Sequence, residues 1–174
     1  MHTKLQRIFD VLEADRKEWL DKVSSLSDEQ FKASPAPGKW SVSYILTHIM
    51  TAEQLSVLYM RKKALGVNEL DNSGIIESLK LLFLKASQRI PALKFKAPKV
   101  VVEKTPESLS FEELSTKWAA SRESLRKFLD SIEDKNLRKK IYKHTIVGRL
   151  DAVQALEFLR EHFRHHLPQI KRLL

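Results

Sequence analysis

The chain has 174 residues, the size of about one domain, and 43% of them are hydrophobic. That is enough to bury a core without disulfides or metals, and too much for a disordered chain. There is no cysteine, which excludes disulfide frameworks, thiolate zinc sites and cysteine nucleophiles, and only four glycines, with neither of the common Gly-rich phosphate-cradling motifs. Thirty-one Lys and Arg against 22 Asp and Glu give a net charge of +9, a balance that favours solubility and can also attract nucleic acid, anionic membranes or acidic substrates.

Apolar residues Leu5, Ile8, Phe9, Leu12, Trp19, Val23 and Leu26 recur every three or four positions, which predicts an amphipathic helix from residue 3 to about 26 rather than a signal peptide. Ser34-Pro35-Ala36-Pro37-Gly38 breaks the chain. A second helix is expected from about 41 to 65, striped by Ile45, Leu46, Ile49, Ala52, Leu55 and Tyr59, with Ser41 or Ser43 as its cap. Residues 74 to 90 predict a shorter helix, and residues 91 to 106, with the valine run 100–102, an irregular or extended stretch. Ser110 and Glu113 form a capping-box pattern that opens a third long helix, continuing through Leu114, Trp118, Leu125, Phe128, Leu129 and Ile132. A polar, basic connection over 134 to 148 follows. Asp151 and Gln154 repeat the capping-box pattern at the start of a last helix with Val153, Leu156, Leu159, Phe163, Leu167 and Ile170.

Four long amphipathic helices with one long crossover predict an all-α chain, a four-helix bundle forming a single domain over 1–174. No apolar run approaches the ~20 residues of a membrane span, so a cytoplasmic protein with no membrane partner is the default expectation.

The six histidines carry most of the chemistry. His162 and His166 are four apart, so they share a helix face with Leu159, Phe163 and Ile170; His48 lies on the apolar side of the second helix beside Ile45 and Ile49. One inward histidine is usually a hydrogen-bonded core residue. Three facing inward from two helices either find such partners or share a divalent metal, which would satisfy three acceptor nitrogens at once. With three protein ligands such a metal keeps positions open for water or substrate.

Two motifs then carry a resemblance. Trp40, Ser41, Ile45, Leu46 and His48 follow a W-S-x-x-x-apolar-L-x-H pattern, and His144, Gly148 and Leu150 an H-x-x-x-G-x-L loop, followed by His162, His166 and Gln169. In this order the chain resembles the DinB/YfiT-like superfamily. The resemblance implies an up-down-down-up bundle whose crossover is residues 66 to 109, and a metal site at His48, His162 and His166, with nickel or zinc the typical metal. It implies either a metal-dependent hydrolase or an S-transferase using a low-molecular-weight thiol, with a small-molecule substrate and commonly a homodimer. The alternative is a non-catalytic bundle that binds a metal or another ligand. Thr145 stands where the family often has proline, and Asp151 where it often has threonine or serine.

No general base is assigned. Glu53 is rotated off the face of His48 and reads as a surface carboxylate. His144 and Tyr142 read as loop packing or capping that could reach the site mouth, Trp40 as a core anchor, and His165 as a solvated histidine near the rim. Pro168 removes one backbone bond inside the last helix and crowds the Arg164 carbonyl, so a kink that tilts His166 is expected. Lys135, Arg138, Lys139, Lys140, Lys143 and Arg149 lie in an acid-free stretch over 135–150. Without a recognition-helix motif it reads as a solvated loop and not a nucleic-acid interface.

Overall fold

A computed structural model describes residues 1–88 and 97–174. It is mostly helical. Four long helices, α1 (Thr3–Val23), α3 (Val42–Ala64), α6 (Phe111–Asp130) and α7 (Ala152–Lys171), are joined by the shorter α2 (Asp28–Lys32), α4 (Ile75–Gln88) and α5 (Lys99–Lys104). Helices α1 and α3 each pack against both α6 and α7.

The expected starts are realised by their caps. Ser41 takes the N-cap of α3, accepting from the Tyr44 N–H at 3.1 Å. Ser43 instead exchanges hydrogen bonds with the backbone of Leu109, tying α3 to the segment that enters α6. Both capping boxes form, Ser110 with Glu113 and Asp151 with Gln154. A third, Ser27 with Gln30, opens α2. The first helix therefore stops at Val23 instead of running to 26, and the Ser-Asp-Glu-Gln signal at 27–30 was available to show why.

Two stretches differ from expectation. The valine run does not extend: Pro98, which has no N–H to lose at a helix start, opens α5, and Val101 is buried where α5 packs on α3. Burial overrides the β preference of valine here. Residues 89–96, which include the end of the expected helix over 74–90 and the start of the stretch over 91–106, lie outside the described residues.

The basic connection contains an antiparallel hairpin, β1 (Tyr142–His144) with β2 (Gly148–Leu150), in register Tyr142 to Leu150 and His144 to Gly148. Three residues close it, and Gly148 sits at φ +84°, a left-handed conformation that glycine adopts without strain. Much of the positive charge is matched within the chain. Arg138 and Lys139 donate to the carbonyls of Ser73 and Leu70, Lys140 pairs with Glu77 at 2.9 Å, and Lys135 with Glu133 at 2.8 Å.

The interior is divided. One apolar cluster gathers Leu12, Val57, Leu125 and Leu159; the other gathers Trp19, Ile49, Trp118 and Phe163. Between these, one turn from each, lie buried Arg16 on α1, Glu53 on α3 and Arg122 on α6. The Arg122 Nε stands 2.8 Å from Glu53 Oε1, with both side chains 3% exposed. Glu53 is thus no surface carboxylate: its position on α3 faces the opposing helices, which only their packing decides. No helix among the described residues is long and apolar enough to cross a membrane.

Candidate metal centre

Helix α7 presents His162 and His166 one turn apart, and α3 presents His48 opposite them. One ligand-capable atom from each lies within 4.8 Å of the other two. The Nε2 atoms of His162 and His166 are 3.2 Å apart. The rings of His48 and His166 meet edge to face at 5.1 Å, and those of His48 and His162 at 5.4 Å. Two nitrogens bound to one ion at ~2.1 Å each stand at most ~4.2 Å apart, so the α7 pair is within chelating distance and His48 needs only a small approach.

Protonation suits the same role. Burial pushes His48 down to about 4 and His166 to about 3, and burial with its neighbouring imidazoles holds His162 well below the usual histidine value. All three rings are neutral at neutral pH and keep a lone pair. His166 is oriented: its Nδ1–H donates to Gln169 Oε1 at 3.1 Å, which leaves Nε2 as the free lone pair beside His162. The buried Nδ1 of His48 has no hydrogen-bond partner among the described residues. Hydrogen-bonded core histidines would not leave a ring nitrogen orphaned, so the donor set fits a cation better than a closed polar network. Helix α7 runs through Pro168 to Lys171, and the His162 and His166 rings still meet, so the expected tilt of His166 does not separate the pair.

The triad lines a cavity of about 1110 Å³. Half-buried Trp40 packs against the second apolar cluster as expected of an anchor, and it also lines the cavity and stacks on His166 at 6.0 Å. Tyr142 and half-buried His165 line it too. His144 is the residue whose role the sequence understated. Its Nδ1 accepts from the N–H groups of Ile146 (3.2 Å) and Val147 (3.4 Å), closing the hairpin turn that Gly148 completes. Burial pushes the ring down to about 4, so it is neutral, and with Nδ1 accepting its proton sits on Nε2. The H-x-x-x-G spacing thus builds a turn that fixes the His144 ring, which lines the cavity, with its proton on Nε2. Glu53 is absent from the lining. His2 is accounted for as the α1 cap, accepting from the Lys4 N–H.

The model of the DinB superfamily matches residues 11–170. The chain belongs to the DinB superfamily. A curated relative, the uncharacterized protein YuaE of Bacillus subtilis (strain 168), is 24% identical over 162 residues, covering 91% of each chain. No solved structure matches. The triad of this DinB-superfamily protein lies within the matched span.

Proposed function

We propose that this DinB-superfamily protein is a divalent-metal-dependent enzyme, with nickel or zinc held by His48, His162 and His166, acting either as a hydrolase or as a small-thiol S-transferase. The observation that carries the reading is the convergence of three neutral imidazoles on an open cavity, one of them oriented by Gln169 and one with an orphaned ring nitrogen. The up-down-down-up bundle belongs to the same reading, supported by the packing of α1 and α3 each against α6 and α7.

When bound, the ion supplies Lewis acidity, which acidifies a water or a cosubstrate thiol and polarises an electrophile. The chain's own residues do the rest. Gln169 holds the His166 tautomer, and Trp40 covers His48 and His166 on one side, limiting water. Phe158 stacks on His162 at 5.8 Å and packs on the His144 ring at 4.4 Å. His144 Nε2–H is a fixed donor for an oxygen that gains negative charge, as in acyl transfer or hydrolysis. With no cysteine in the chain, any thiol comes from a cosubstrate.

Elemental analysis after loading with nickel or zinc and removal of free ion tests the reading. About one ion per chain is expected in the native protein, and none in a folded His162→Ala variant. Equal metal in both, or none in either, would refute it.

A further inference from the structure

The sign of the charge around the cavity is one-sided. Twenty-two of the 174 residues are acidic, yet among the described residues no Asp or Glu lines the cavity. Three cations do line it, from three separate parts of the fold: Lys39 in the connection before α3, Lys143 on β1, and Arg172 just after α7. All three are exposed. None of them forms an ion pair among the described residues, in contrast with Lys135, Lys140 and Lys85, each of which has a carboxylate partner.

Below this rim Ile45, Leu55, Leu84 and Val101 supply apolar wall, beside the polar side chains of the histidine triad, Ser56, Tyr142 and His144. An organic cation at the rim, away from the histidine nitrogens, would meet three like charges and no carboxylate of the described residues. A fully apolar molecule would leave the rim unused. An apolar body with an oxyanion head satisfies both halves, because the rim cations attract the head while the apolar wall takes the body out of water.

We propose that the cavity binds an amphipathic anion, an apolar chain or ring bearing a carboxylate or phosphate head, with Lys39, Lys143 and Arg172 selecting the head and the apolar wall holding the body. This names the substrate class for the function proposed above and rests on that reading for the chemistry, while binding itself is measurable without metal.

The test uses the full chain stripped of metal by chelation, titrated calorimetrically with three eight-carbon probes: octanoate, octylammonium and octanol. Octanoate is expected to bind at least about tenfold more tightly than octylammonium and to weaken with added salt. In a Lys39→Gln, Lys143→Gln, Arg172→Gln variant the octanoate preference is lost and octanol affinity is unchanged; all three positions are exposed, and circular dichroism verifies the fold. Octyl phosphate in place of octanoate distinguishes the two head groups. The proposal is overturned by equal affinities for octanoate and octylammonium, by an octanoate preference that the triple variant retains or that appears only after metal loading, or by no binding of octanoate at millimolar concentration. A chain that fails to take up metal but keeps the rim-dependent preference refutes the metal reading alone.

Discussion

Replacing Glu53 by leucine strands the Arg122 guanidinium between the helices. Both side chains are 3% exposed and their charged atoms are 2.8 Å apart. Neither Nη atom of Arg122 has another hydrogen-bond partner among the described residues. Removing one member of such a buried pair costs about 3–5 kcal/mol, because the survivor stays desolvated without its counter-charge. Glu13 also feels the field of Arg122, but Arg16 binds it bidentately and offsets its charge, so at least the lower figure is expected. A loss of about 3 kcal/mol lowers the melting temperature by about 6–12 °C in a chain of this size. Burial raises the Glu53 carboxyl above its usual range in spite of Arg122, so desolvation outweighs the attraction. The double variant Glu53→Leu, Arg122→Met should therefore recover most of the loss. Urea unfolding of the single and double variants measures this. A single variant within about 1 kcal/mol of the native protein, or a double variant less stable than the single, would show that the buried pair does not carry this energy.

Three further outcomes are expected. Gln169→Leu removes the acceptor that holds His166 Nδ1–H, and competition with a chelator should show about 10–100-fold weaker metal binding with the helix content unchanged. Gly148→Ala forces a Cβ into φ +84° where nothing crowds it, so the cost is backbone strain alone, about 1–2 kcal/mol by thermal unfolding. Metal-free protein should lose stability on acidification. His48 and His144 titrate at about 4 when folded against about 6.5 unfolded, so the unfolded chain binds more protons between those values. Their contribution is complete above about pH 6.5 and is lost as pH falls toward 4, by about 1.4 kcal/mol per unit for each ring, which urea unfolding at stepped pH will show.

Much of the site was legible in the chain. The four-residue spacing of His162 and His166 put both on one face of α7, and the apolar neighbours of His48 turned it inward. Glu53 shows where legibility stops. It sits off the His48 face, but the face it occupies meets Arg122 of α6 within reach of Arg16's field, and nothing near residue 53 in sequence announces Arg16 or Arg122. His144 shows the same limit. Its motif was visible, but the sequence does not say that Nδ1 is consumed by the turn and the proton left on Nε2.

Local order lies in the sequence because its causes are local: periodicity sets the faces of the helices, and Ser110, Asp151 and the proline and glycine breaks set their starts. The meeting of His48 with His162 and His166, the layer of charge between two apolar clusters, and a cavity whose described lining has cations and no carboxylate were decided only by tertiary packing. Each joins residues far apart in the chain. Helical periodicity states which way a side chain points, and only the packed helices determine what it meets.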